Sequence, residues 1–317
     1  GTAGQNNFHD VRNLNVTTLV ANLWANNTGN GIWDAASAGT NITNWNPAVN
    51  PVTGADILFD NTYVSANQAI TVNANQTVRS LSFDAPFDYT LSNNNAITFD
   101  NGSVAGFSGI AVTQTHGTAT ETINTNLSLN NAINIRNNST GTLNLTGSIA
   151  TNSANNTITL DGTGTNTTLS GNISGPAGII KNDSGTVTLS ANSSYSGGTT
   201  LNAGTLNANA TIALGTGNVT LAGGTLGSTN GSSISNAIAL TGNAALSGLT
   251  TSGTLTETGG NFTLIMDGAT QSGAVNLSNN STARTLTAQV DSGTSTISGV
   301  IANGGGSSGG SLTKTGS

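Results

Sequence analysis

Asp84, Asp88 and Asp100, preceded by Asp56 and Asp60, form the densest run of carboxylates, and Trp24, Trp33 and Trp45 lie just upstream. Residues of these types can cleave or hold a polysaccharide. Hydrolysis takes two carboxyl groups a few ångströms apart, and elimination takes aspartates on calcium with a Lys or Arg base. Tryptophan rings would add a stacking platform. The spacing favours a plainer role. Asp56 and Asp60 bracket the apolar run Ile57-Leu58-Phe59, where acids commonly accept turn hydrogen bonds. Asp161, Asp183, Asp267 and Asp291 each precede Gly or Ser, as turn residues do. Glu121 and Glu257 have no acidic neighbour in sequence, and His9 and His116 lack the spacing of a second metal ligand. Gly223-Gly224 and Gly304-Gly305-Gly306 do not join a strand to a helix, as a phosphate loop must. No catalytic residue, metal ligand or cofactor is expected.

The charge inventory narrows the partners. The six cations, Arg12, Arg79, Arg136, Lys181, Arg284 and Lys314, are scattered, which leaves no basic patch for nucleic acid. No apolar run reaches the length of a membrane helix, so insertion into a membrane is not expected. There is no cysteine, hence no disulfide or thiolate site. Only 6% of residues are charged and 35% are hydrophobic, a combination that can signal disorder. Here the polar residues are Asn, Thr, Ser and Gly with only four prolines, which favours strands and tight turns instead.

The elements that must position these side chains are short strands. Thr186-Val187-Thr188-Leu189, Thr199-Thr200-Leu201 and Thr205-Leu206 alternate threonine with aliphatic residues, and Asn, Ser and Gly clusters separate them. Similar segments recur from Ile70 onward, including Leu127-Ser128-Leu129, Thr142-Leu143-Asn144-Leu145 and Asn218-Val219-Thr220-Leu221. Strands this short are stable only when equivalent strands stack above and below them. No window carries a helical period. The pattern predicts an all-β chain folded as a right-handed parallel β-helix, or β-solenoid. With roughly 20 residues per coil and a rise near ~4.8 Å, the repeat region would be a rod on the order of 50–60 Å long. Val187, Leu189, Leu201, Leu206, Val219 and Leu221 should point inward.

Eleven of the thirteen aromatic residues lie before residue 108, which suggests an aromatic-rich N-terminal cap region. Packing of that cap is favoured over a sugar cleft. The division expected is 1–68 for an N-terminal strand and Trp-rich cap, and 69–317 for solenoid repeats ending in an incomplete repeat. Ser311-Leu312-Thr313-Lys314 echoes Gly178-Ile179-Ile180-Lys181, so Lys314 and Lys181 are read as equivalent positions with a structural role at the surface.

Ile179, Lys181, Gly185, Val187, Leu189, Ser190, Tyr195, Gly197, Thr199, Leu201, Gly204 and Leu206 carry a long-spaced pattern that resembles the autotransporter-associated β-strand repeat, also called the passenger-associated transport repeat. Asp183 stands where that pattern usually has Gly, and Ser193 where it has Asn. A looser likeness extends over roughly residues 24 to 226. The repeat-motif positions Lys181, Gly185, Leu189, Tyr195, Gly197, Gly198, Thr199, Gly204 and Leu206 are expected to be structural. The resemblance implies a non-enzymatic extracellular or cell-surface protein of a bacterium, its signal peptide removed, acting as a stalk, adhesin scaffold or filament subunit. The alternative is a carbohydrate-binding or polysaccharide-degrading β-helix, with surface glycans as partners. End-to-end self-association is a further expectation: the segment carrying Leu14, Val16 and Leu19 would pair with the strand carrying Leu312 and Lys314.

Overall fold

A computed structural model describes residues 22–25, 31–33, 45–46, 54–93, 95–100, 110–115, 117–277, 282–304 and 309–316. Among these residues there are strands and no helix, and every strand pairing is parallel except one near the N-terminus. The chain winds through about eleven coils, most of them laying down a strand on one face and then on two others, while the coils of Thr186–Leu189 and Thr205–Ala208 have strands on the first and third faces alone. The first face is a sheet of twelve strands, from Gln68–Thr71 to Ser311–Gly316. The second carries short strands such as Asn126–Leu129, Ile149–Thr151 and, later, Thr250–Thr251. The third includes Ile133–Asn137, Ile158–Asp161, Ile179–Lys181, Thr199–Leu201 and Val219–Leu221.

Alternation sets the inside and the outside. On the first face Leu143, Thr167, Val187, Leu206, Leu226, Leu246 and Met266 are successive partners in register, and all are buried. The intervening threonines Thr168, Thr186, Thr188, Thr205 and Thr225 face outward and are partly exposed. Each fully buried aliphatic side chain contributes about 1.5–3 kcal/mol. One coil cannot collect enough of these to offset its ordering, which is why the coils fold as a stack. In the middle of the chain the repeat settles to twenty residues, as the tie between Asn202 and Asn182 illustrates.

Near the N-terminus of the described residues the core is a cluster of aromatic rings. Phe59 stacks on Phe83 with centroids 4.9 Å apart, meets Tyr89 at 5.2 Å, and receives Trp33 and Trp24 at 6.2 and 6.5 Å. Trp24 and Trp33 are both 0% exposed. Two short segments extend the ladders there. Asn22–Trp24 pairs in parallel with the strand Ala55–Asp60, and residues 31–33 bond to Thr71 on the first face. Gly31 has φ +65°, and a Cβ there would overlap the carbonyl of Ala69, so only glycine lets that segment lie so close.

The equivalence expected of Lys314 and Lys181 needs correction. Ser311–Gly316 pairs with Thr285–Val290 on the first face, whereas Ile179–Lys181 pairs with Ile158–Asp161 on the third. Lys314 and Lys181 are therefore not equivalent in the solenoid. The reason is the winding order. Thr296–Ile297 and Ile301–Ala302 already occupy the second and third faces of that coil, so the next strand returns to the first. What the two lysines share is local. Each precedes by two residues a left-handed position, Asp183 at φ +47° and Gly316 at φ +80°, and each donates from Nζ to that residue's carbonyl at 2.8 Å.

Candidate functional site

The acidic side chains described here bond within their own turn or to an adjoining coil. Asp88 accepts from the Thr120 amide at 2.7 Å and from Asn67 Nδ2 at 2.9 Å. Asp100 accepts from Asn130 at 2.9 Å, and Asp60 caps its own turn by accepting from the Thr62 amide at 2.9 Å. Asp56 takes both Arg79 Nη2 and Nε, the latter at 2.9 Å, together with Ser80 Oγ. Burial works to raise the Asp56 pKa, but the bonds from Arg79 and Ser80 and the Arg79 charge outweigh it, and the net shift is downward. Asp161 is held by Asn134 and Arg136. Among the described residues no three His, Asp or Glu side chains gather in a way that could hold a metal ion. Trp24 and Trp33 are interior, so neither is a platform for sugar. The strand Trp45–Asn46 pairs antiparallel with Asn22–Trp24.

Two shallow grooves mark the outside of the rod. One of about 440 Å³ runs over Thr225, Ala245, Ile265 and Gln289, and one of about 320 Å³ over Ser196 to Thr200 with Asn218 and Thr220. Neither has a carboxylate, a base or an aromatic ring in its lining.

The repeat-motif residues build one coil and its corners. Leu189 and Leu206 are core, and the Tyr195 ring is 0% exposed, its hydroxyl 2.6 Å from Thr199 Oγ1. Burial pushes the Tyr195 phenol above its ordinary range, against the Thr199 bond. Gly198 has φ +81° and passes its carbonyl to the Ile179 amide at 3.0 Å. Gly204, at φ +70°, lies so close to the coil below that a Cβ would overlap the Asp183 carbonyl and sit 2.9 Å from Lys181 Nζ. Gly185 meets the preceding coil in the same way, 2.5 Å from the Gly164 carbonyl at its Cβ position. Ser193, the second departure from the usual pattern, is buried and accepts from the Ile173 amide through its hydroxyl at 3.0 Å.

Lys181 is not a surface residue. It is 0% exposed, in register between Leu160 and Leu201, and its Nζ donates to the carbonyls of Asn182 and Asp183. Burial lowers its pKa, and the nearby charges of Asp183 and Asp161 oppose that. Glu121 and Glu257, read from sequence as isolated acids, are also wholly interior. Glu121 Oε2 accepts from the Tyr89 amide at 2.9 Å, while Oε1 is buried without a hydrogen-bond partner. Burial, with a smaller push from Asp88, raises its pKa to about 8, against the bond from Tyr89. Glu257 accepts from the Phe262 amide at 2.8 Å; burial raises its pKa, opposed by that bond and by Arg284. The signal for all three was the strand phase. In Thr120-Glu121-Thr122-Ile123 and Leu255-Thr256-Glu257 the acid falls on the inward parity, as Lys181 does after Ile179.

Leu14, Val16 and Leu19, like His9 and His116, lie outside the described residues. Leu312 and Lys314 are exposed on the last strand of the first face. No curated protein and no solved structure matches the chain. Residues 179–208 match the family described as passenger-associated-transport-repeat, and that repeat within a β-solenoid fits a structural domain of the autotransporter-passenger type.

Proposed function

We propose that this chain is a rod segment of a passenger displayed or secreted by a bacterium, and that its task is mechanical: a stalk that sets distance. The observation that carries the reading is how the reactive side chains are used. The acids described above bond to amides, amides' side chains or arginines of their own or adjoining coils, Lys181 is consumed by two carbonyls, and the grooves hold neither acid nor ring. An adhesin scaffold would add a recognition surface, and a filament subunit an end contact; a stalk requires only the stack. Cell-surface exposure and absence of catalysis are both part of the proposal.

The test is protease shaving of intact cells that produce the protein, followed by mass spectrometry, with turnover assays on a panel of polysaccharides. Peptides from the chain should be released without lysis, and no polysaccharide should be cut. Peptides released only after lysis would sink the surface reading. Turnover that disappears in Asp84→Asn or Asp88→Asn would sink the non-enzymatic one.

A further inference from the structure

Between the aromatic end and the regular rod lies one unusual junction. The strands Tyr89–Ser92 and Thr120–Ile123 are adjacent on the first face, yet 32 residues separate their partners, against twenty in the regular coils. At this junction two strand amides are capped by side chains. The Thr120 amide donates to Asp88 Oδ1 at 2.7 Å, and the Tyr89 amide donates to Glu121 Oε2 at 2.9 Å. The two acids thus bridge the same pair of coils in opposite directions.

Their surroundings differ. Asp88 is half-buried and also held by Asn67, whereas Glu121 is sealed in the core with Oε1 lacking an acceptor or donor. Among the described residues, the titratable groups that face Glu121 are Asp88 and Tyr89 from the upstream coil, with Asp60 behind, whose carbonyl takes the Tyr89 hydroxyl at 2.6 Å. The downstream coil presents Leu143. Glu257, by contrast, has the charge of Arg284 near it. A carboxyl group sealed beside a second acid and facing no cation is stable there only while it carries its proton.

We propose that Glu121 and Asp88 form a proton-operated joint between the aromatic end of the solenoid and the rod, closed while Glu121 is protonated and loosened when it ionises. Loss of the proton places a second negative charge between the two coils, with no cation opposite it among the described residues. The coil that separates exposes the Tyr89 and Thr120 amides, while the coils farther along, where Asp161 and Asp183 have Lys181 near them, stay shut.

Native-state hydrogen exchange from pH 5 to 9, corrected for intrinsic rates, reads this directly. The amides to follow are Tyr89 and Thr120, with those of residues 187–206 as an internal standard. An opening that frees Glu121 becomes about tenfold more frequent per pH unit between its free and its buried titration ranges. Protection at Tyr89 and Thr120 should therefore fall about tenfold per unit from pH 6 to 8, and the standard amides should not follow. In Glu121→Gln, which keeps an oxygen for the Tyr89 amide, the fall should vanish. In Asp88→Asn, which keeps the acceptor for Thr120 but not the charge, the fall should stop at lower pH. A flat profile in the natural chain, an equal slope in Glu121→Gln, an unchanged end point in Asp88→Asn, or a loss shared by every coil would each overturn the joint.

Discussion

Replacing Lys181 with methionine is the sharpest test of how the repeat is held. The side chain is 0% exposed and lies between Leu160 and Leu201, so a thioether of similar length fits the same column. Two effects then compete. Methionine removes the need to bury an ammonium group, a gain that can offset much of the loss when a buried charge has poor partners. Against it, the part-buried carbonyls of Asn182 and Asp183 lose their Nζ donor; a fully buried acceptor left unmet costs about 1–3 kcal/mol, and these two belong at the low end of that range. With two carbonyls affected and only a terminal group exchanged, the loss wins, and Lys181→Met should cost about 2–3 kcal/mol.

The pH dependence supplies an independent check on the same substitution. Burial lowers the Lys181 pKa from 10.5, so the unfolded chain binds this proton more tightly than the folded one. The associated stability is present above 10.5 and is lost as pH falls through the lowered folded value. The gap between the natural chain and Lys181→Met in urea unfolding should accordingly widen as pH rises from neutrality toward 10.5. A variant as stable as the natural chain at neutral pH, with no widening, would refute the reasoning.

Three further outcomes follow from single contacts. Gly204→Ala should cost about 2–4 kcal/mol, since it adds steric overlap with the Asp183 carbonyl to a left-handed φ; Gly231→Ala, at φ +73° with open space around it, should cost only about 1 kcal/mol in thermal unfolding. Asp183→Gly relieves the left-handed strain but gives back backbone entropy and the bond to the Gly162 amide at 3.1 Å, so it should lose about 1 kcal/mol, while Asp183→Asn should stay within about 0.5 kcal/mol. Asp56→Asn should flatten the acid limb of the stability curve. The folded pKa of Asp56 lies below 3.8, so its contribution is present above that value and is lost as pH falls through the lower folded one.

Period-2 alternation made the architecture legible. Val187, Leu189, Leu201, Leu206, Val219 and Leu221 all point inward as their parity requires, and the aromatic residues do gather at the upstream end. The same parity also placed Lys181, Glu121 and Glu257 inside, but residue type argued the other way, because charged groups are seldom fully buried. Their partners were invisible in sequence. The Tyr89 amide is 32 residues from Glu121, and the carbonyls that accept Lys181 lie at a corner where Asp183 takes a left-handed φ that its residue type does not announce.

Corner chemistry explains why the tail misled. Gly147 and Gly171 make the turn from the first face to the second, before Ile149–Thr151 and Ile173–Ser174. Gly253, Gly273 and Gly299 make the turn from the second face to the third, before Leu255–Glu257, Val275–Asn276 and Ile301–Ala302. In all five, a Cβ would overlap a backbone carbonyl of the coil below. A small residue, a glycine and an aliphatic two positions later therefore specify a sharp corner without specifying which of the three corners it is. Lys181 and Lys314 behave in the same manner, with one hook onto a left-handed carbonyl used on two different faces. Which face a strand joins is decided by how far round its coil the chain has already run: Thr199–Leu201 reaches the third face after a single strand, whereas Ile149–Thr151 after a single strand is still on the second. A match between two segments of a solenoid thus transfers the turn but not the face.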